Sequence, residues 1–247
     1  MSDSGLRLSR AGAVVRMELD RPQVRNAMGL DTFDAIGEAV AEVSRSEVDR
    51  VLVVAGQPGF FSAGGELPRE PAQPVAHGVG LVRMQQVVGT AVQRLFSCPK
   101  PVIAEIDGYA LGAGLSLVLA ADLAIASTRS TFAAPFVERG LGLDGGLSWS
   151  LPRAVGLRRA KQIVFYGEPL HAEEALAIGL INEVIEPERL AQRIAERAEQ
   201  LAERSPTALT LAKQALNRSS ATSLADVVET EALAQVIGTR SGEVRWR

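Results

Sequence analysis

Cysteine and histidine are nearly missing from this chain of 247 residues, which has one cysteine, Cys98, and two histidines, His77 and His171. A single cysteine excludes an internal disulfide. Together with the lack of a charged-then-apolar leader across Met1–Arg10, it implies a cytoplasmic setting. Cys98 precedes Pro99-Lys100-Pro101 without any partner motif and reads as a small buried filler. A histidine-dependent triad would have to use one of two widely separated histidines, and no set of residues has metal-ligand spacing. Long apolar runs are also absent. Ala110–Ala121 is broken by glycines and Ser116 and falls short of the roughly 18 to 20 residues that cross a bilayer, so no membrane span is expected. The net charge of −3 lacks the basic field that nucleic acid requires, although one local basic pocket for a phosphorylated group remains compatible with it.

What remains is an ordinary globular composition, 47% hydrophobic and 22% charged, long enough to bury a full core. Alternating apolar residues predict a strand over Ala13–Leu19, ended by Asp20-Arg21-Pro22. Helical spacing follows over Asp31–Val43, with Asp31 as a cap. Arg50–Ala55 and Val102–Ile106 read as buried strands, Leu123–Ala126 as a third, and Leu81–Phe96 as a helix. Gly56–Gly65 reads as a glycine-rich loop, and Pro68–Gly80, with three prolines, as a surface loop. Leu111–Ala121 reads as a turn that opens a buried helix. Strands alternating with helices to about residue 130 favour an α/β fold. Beyond Gly145 the pattern is mainly helical: Gly146–Ala154, Leu157–Tyr166, Ala172–Ile178, Glu188–Glu203, Thr207–Arg218 and Leu224–Ile237, with a strand at Ile181–Ile185. Pro187 and Pro206 suit first helical turns.

Three segments can carry chemistry. Phe60–Leu67 leaves a buried strand through small residues that let a ligand approach the backbone; the same glycines also serve a plain turn. Ile106–Leu115 sets a Gly-Ala-Gly cluster at a helix start, where unpaired amides at the positive end of the dipole stabilise an oxyanion; close packing at a tight turn is the alternative. In Gly140–Ser150, Asp144 is a lone carboxylate among apolar and glycine residues. Partial burial would raise its pKa and suit it to proton transfer, while its place before Gly145-Gly146 equally suits a helix N-cap.

Together these segments resemble the crotonase (enoyl-CoA hydratase/isomerase) superfamily over nearly the whole chain. Arg21-Pro22-Gln23-Val24-Arg25-Asn26-Ala27 is similar to the family segment that lines the CoA site. Phe61-Ser62-Ala63-Gly64-Gly65-Glu66-Leu67 is similar to its Phe-x-Ala-Gly-x-Asp-Leu loop, and Asp107–Gly114 to its Asn-Gly-x-x-x-Gly-Gly-Gly turn. Leu151–Gly156, Ala172–Ala175 and Gly179–Ile185 continue the match. The resemblance implies an α/β spiral of ββα turns over residues 1–190 and a C-terminal helical region, 191–247, used in trimer or dimer-of-trimers assembly. It implies an acyl-CoA thioester as substrate, with CoA arriving as part of it and no separate cofactor. The implied oxyanion hole is the N–H of Gly65 and of Ala113. The implied lining is Arg25, Ala27, Ala63, Gly64, Gly112, Phe136 and Leu141, with Arg25 and Arg69 as candidates for the CoA phosphates.

The departures redirect the expected chemistry. Family hydratases use two glutamates, and the corresponding positions here are Ser116 and Phe136. Asp144 occupies the position at which some family members, certain Δ3,Δ2-enoyl-CoA isomerases among them, carry their working carboxylate. The resemblance therefore implies an enoyl-CoA isomerase with Asp144 as acid and base. Two alternatives stand beside it: a hydratase using Asp144 or Glu138, and a catalytically silent acyl-CoA-binding protein. His77 reads as surface, Trp149 and Phe136 as pocket wall or core, and Tyr109 as either.

Overall fold

The computed structural model describes residues 4–66 and 77–244. Its repeating unit is a strand, a second short strand and a helix. Strands β1 (Leu6–Ala11) and β2 (Val14–Leu19) form an antiparallel hairpin and lead to α1 (Leu30–Arg45). Three ββα turns follow. The first is β3 (Val51–Ala55), β4 (Phe60–Ser62) and α2 (His77–Phe96). The second is β5 (Val102–Ile106), β6 (Tyr109–Leu111) and α3 (Ala113–Ala120). The third is β7 (Leu123–Ser127), β8 (Thr131–Ala133) and α4 (Leu147–Val155). Each turn gives one strand to each of two sheets. Helices α5 (Leu157–Tyr166) and α6 (Ala172–Ala177), with β9 (Leu170–His171) before and β10 (Glu183–Ile185) after α6, complete the core. The sheet orders are β1-β2-β3-β5-β7-β10 and β4-β6-β8-β9, parallel throughout except at β1–β2 and β8–β9.

The uninterrupted apolar runs of β3 and β5 follow from burial on both faces. In β3, Leu52 and Val54 face the main core, whereas Val51 and Val53 face α7 (Pro187–Ala202) through Leu190, Ile194 and Ala198. Ile103 of β5 joins the second cluster while Val102, Ala104 and Ile106 join the first. Truncating such a residue to Ala would cost about 2 to 5 kcal/mol. The boundary expected at residue 190/191 falls inside α7, which packs on the sheet along its length. The helices that stand off the core are α8 (Pro206–Arg218) and α9 (Leu224–Arg240), neither of which has a buried residue. Polar ties hold α8: Thr210 Oγ1 donates to the Pro99 carbonyl at 2.9 Å, and Asn217 Nδ2 to that of Phe96 at 3.2 Å. Leu216, Leu224, Val228, Leu233, Val236 and Ile237 remain exposed on these two helices.

Several expectations need correction. Asp31 does not cap α1; the N-cap is Gly29, without a side-chain bond, and Asp31 lies in the first turn. The expected loop Gly56–Gly65 contains β4, and the last four positions of the expected loop Pro68–Gly80 are helical because α2 begins at His77. Arg69 lies outside the described residues, as does the side chain of His77. Cys98 is buried against the Ser44 hydroxyl, as its filler reading requires. Pro187 and Pro206 open α7 and α8.

Candidate active site

Parallel pairing of β4 with β6 brings the two glycine-rich segments together, since Ser62 pairs with Ala110 and both strands release the chain at the same end. The first segment, Ala63–Glu66, turns beside Met28: Met28 N–H donates to Gly64 O at 2.8 Å and Glu66 N–H to Met28 O at 2.9 Å. These bonds bracket Gly65 and leave its own N–H without an internal acceptor among the described residues. The second segment passes through Gly112, the N-cap of α3, and makes Ala113 the first residue of that helix. A first-turn amide has no acceptor within its own helix, and no other carbonyl among the described residues takes the Ala113 N–H. Gly64 shows how near the segments lie. It has φ +99°, and a Cβ added there would stand 2.8 Å from Leu111 O and 3.6 Å from Ala113 N. Only glycine meets both demands.

Side chains that the motif reading did not single out fix the first segment. Arg21 donates to Ala27 O at 2.7 Å and pairs with Glu66 at 2.6 Å, so one guanidinium holds the residues on both sides of the Met28–Gly65 bridge. The Asn26 amide is buried. It accepts from Arg21 N–H at 2.7 Å and donates to the carbonyls of Phe60 and Phe61. Arg25 and Asn26 both adopt the left-handed conformation, with φ 53° and 54°. Arg25 is exposed, its guanidinium 6.0 Å from the Phe60 ring centre. Tyr109 is half-exposed and stacks on that same ring, which assigns it to the surface side.

Asp144 reaches the site through α3. Ser116 lies three residues beyond Ala113, about 5 Å along a helix. Its hydroxyl stands 3.4 Å from the Asp144 main-chain oxygen. The cap reading of Asp144 is overturned: the N-cap of α4 is Gly146, and no side chain caps the amides of its first turn. Instead Asp144 Oδ1 is buried with no hydrogen-bond partner among the described residues. Burial pushes this carboxyl above its ordinary pKa, and a hydrogen bond from Gln85 of α2 opposes the rise. Burial disfavours the charged form, and donation to the carboxylate favours it. An unpartnered buried oxygen on a carboxyl of raised basicity can take up a proton from a neighbouring carbon acid.

The remaining expected residues are divided. Phe136 is buried, its ring edge 3.7 Å from where a Cβ on Gly112 would be, so an aromatic wall stands beside the oxyanion turn. Leu141 is exposed but tied by its N–H to Phe136 O at 2.8 Å. Glu138 is exposed, and its carboxylate lies beside Gly167, 3.5 Å from a Cβ placed there. Trp149 and Ser116 share the wall of a cavity of about 460 Å³ between α2 and α4. Gln85 lay outside every motif, and Arg21 and Glu66 lay inside theirs without an assigned role. The available signal for Glu66 was an acid directly after Ala63-Gly64-Gly65, at the position of the motif's Asp.

This arrangement of paired strand exits, free amides and a half-buried acid matches a known family. The model for "Enoyl-CoA hydratase/isomerase" matches residues 9–242, and the chain belongs to that family, the crotonase superfamily. Among the curated relatives, the short-chain-enoyl-CoA hydratase of Clostridium acetobutylicum is 34% identical over 85% of this chain and 80% of its own length. The 1,2-epoxyphenylacetyl-CoA isomerase of Escherichia coli is 32% identical over 94% of this chain and 89% of its own. The crystal structure of an enoyl-CoA hydratase from a Polaromonas species superposes with a TM-score of 0.91, at 29% identity, over 96% of this chain and 92% of that one. The fold is thus the mixed α/β fold of this enzyme family, and both hydratases and isomerases stand among its relatives. No described helix is long and apolar enough to cross a membrane.

Proposed function

We propose that this enzyme moves the double bond of an enoyl-CoA thioester, converting a 3-enoyl to a 2-enoyl chain. The thioester oxygen would rest on the N–H groups of Gly65 and Ala113, both free of internal acceptors among the described residues. As a proton leaves carbon 2, electrons move onto that oxygen and the two amides hold the enolate; losing one such donor typically costs about 3 to 4 kcal/mol of transition-state stabilisation. Asp144 takes the proton from carbon 2 and returns it to carbon 4, so bonds and charge balance with one carboxyl acting first as base and then as acid. CoA enters as part of the substrate, and this chemistry calls for no metal or redox cofactor. The observation that carries the reading is Asp144 Oδ1, buried beside α3 without a partner among the described residues.

Hydration is the second reading, favoured by the likeness to the Clostridium hydratase. It lacks support from the side chains here, because Ser116 and Phe136 carry no carboxylate and Glu138 faces Gly167. One assay separates the readings from a silent acyl-CoA binder. The protein is incubated with 3-enoyl-CoA and with 2-enoyl-CoA, for wild type and Asp144→Asn. Isomerisation predicts conversion of the first substrate and its loss in the variant; water addition to the second would establish the hydratase, and binding without product the silent protein. The cytoplasmic setting rests on the single cysteine; a homotrimer or dimer of trimers would cover the apolar side chains exposed on α8 and α9, and sedimentation would measure that assembly.

A further inference from the structure

The cavity between α2 and α4 is an unused space next to the proposed chemistry. Ser116 and Gly145 form the end nearest Asp144. Val92, Leu119, Phe96 and Trp149 line it; Phe96, which packs on Trp149, lies about three turns of α2 beyond Gln85, which bonds Asp144, so Trp149 marks the far end. The exposed Gln86 and Gln93 stand at its rim, where they meet water. Trp149 is not a loose flap. It packs edge-on against Phe96 at 5.2 Å, and the Arg153 guanidinium stacks on its other face at 4.1 Å.

Gly89 lies midway along α2 on the cavity wall, and a Cβ added there would meet nothing within 4 Å among the described residues. Glycine is a poor helix residue, disfavoured by about 1 kcal/mol relative to Ala. Packing against a neighbour does not account for it, because no neighbour is close among the described residues. What it preserves is open volume in the middle of the cavity.

From these features we infer that the enzyme selects medium-length linear acyl groups of about eight to twelve carbons, with Gly89 and Trp149 as the residues that set the length. The inference rests on the isomerase reading for the position of the thioester, but the size argument is independent of the reaction. A volume of about 460 Å³, at about 30 Å³ per water-sized group, holds roughly 10 to 15 non-hydrogen atoms. A four-carbon acyl group would leave most of this apolar space empty. A chain that runs from Ser116 past Gly89 to Trp149 fills it.

The test uses saturated acyl-CoA thioesters, which bind without reacting, so it reads the inference separately from turnover. Titration calorimetry with butanoyl-, hexanoyl-, octanoyl-, decanoyl- and tetradecanoyl-CoA should give affinity that rises by at least about tenfold from four to eight carbons, since each fully buried methylene is worth roughly fourfold. It should level off by twelve carbons. Gly89→Leu should remove most of that rise, lowering the octanoyl-to-butanoyl affinity ratio about tenfold, with circular dichroism reporting an intact fold. Trp149→Ala should move the plateau to longer chains. Affinity that is flat from four to ten carbons, or a length dependence that Gly89→Leu leaves unchanged, overturns the inference. The paired assay on 3-octenoyl-CoA judges the isomerase reading by itself. Length-dependent binding without turnover would sink that reading and leave the length selection standing.

Discussion

The Ser116 hydroxyl stands 3.4 Å from the main-chain oxygen of Asp144, and the loop that carries the acid closes directly over it. A Cβ added to Gly145 would fall 2.7 Å from the Ser116 Cβ and 2.8 Å from its hydroxyl. The position that bears a hydratase glutamate in the family pattern is therefore occupied from above by the Asp144 loop. Installing the carboxylate should not create a hydratase. Ser116→Glu is expected to push residues 144–146 outward and to lower isomerisation about a hundredfold, the scale of an ångström-level misplacement of a reacting group. Measurable hydration of 2-enoyl-CoA by this variant would show that the two arrangements are compatible.

The proton-transfer role of Asp144 has a pH signature. Burial raises its pKa in the folded protein, against the pull of Gln85. As a base it must be ionised, so kcat/KM for 3-enoyl-CoA should fall on the acid side with an apparent pKa above the ordinary Asp value of about 3.9. Gln85→Leu removes the opposing hydrogen bond and should shift that limb upward. A limb that stays in place in Gln85→Leu would detach Gln85 from the acid.

The same group makes a prediction about stability. A carboxyl whose folded pKa exceeds its unfolded value binds protons more tightly when folded. Its ionisation therefore costs stability as pH rises from about 3.9 through the folded value. Asp144→Asn should raise Tm at pH 7, and the gain should vanish below about pH 4. Partial solvent access keeps the effect modest, about 2 to 4 °C for roughly 1 kcal/mol in a chain of this size. Scanning calorimetry of both proteins across pH checks the sign.

The oxyanion role of Ala113 can be separated from its helical role. Ala113 opens α3, and proline is accepted at a first helical position because its missing N–H has no acceptor within the helix. Ala113→Pro should leave Tm within a few degrees yet lower kcat by about 10²- to 10³-fold. A fall in Tm without a specific loss in kcat would mean that the amide is merely structural.

Much of this arrangement was legible in the sequence, and the rest was hidden for identifiable reasons. β3 and β5 announced themselves because both faces are covered, which makes every residue apolar. β4, β6 and β8 are three residues long and show no usable period, so the second sheet was invisible although it brings the two amide loops together. Asp144 before two glycines fits a cap and a catalyst equally well in one dimension; only the backbone position of Gly146 separates them. Gln85 and Gly89 sit on a long helix whose pattern reports its core-facing stripe and says nothing of a cavity on its flank.

The Arg21 clamp is expected to act on the site and not only on stability. Its guanidinium joins Ala27 O and Glu66 across the Met28–Gly65 bridge. Arg21→Met keeps much of the stem and loses both bonds, so Gly65 should lose its fixed direction. We expect kcat to fall about tenfold or more with little change in KM, together with about 1 to 2 kcal/mol of stability. Arg21→Lys should rescue in part, since both bonds come from the single nitrogen Nη1 and an ammonium on the shorter lysine stem has donors for both partners but less reach.

The attachment of α8 supplies the last test. Lys213 of α8 donates to the Asp122 carboxylate at 2.7 Å and to the Lys100 carbonyl at 3.1 Å. Asp122 also accepts from the Val102 N–H at 2.7 Å, at the start of β5. Burial raises the pKa of Asp122, and Lys213 and the Val102 N–H draw it back. Lys213→Met leaves a partly exposed carboxylate with one donor, so the single variant should lose about 1 kcal/mol. The double variant Lys213→Met/Asp122→Asn should recover part of that loss, because an amide needs no counter-charge and its carbonyl still accepts from Val102. Because Asn217 of the same helix bonds the carbonyl of Phe96, a cavity residue, detachment of α8 should also weaken octanoyl-CoA binding more than butanoyl-CoA binding. Urea denaturation of the three proteins, with the two titrations alongside, measures both effects. Equal losses for the single and double variants would show that the ion pair itself contributes nothing beyond the presence of the two side chains.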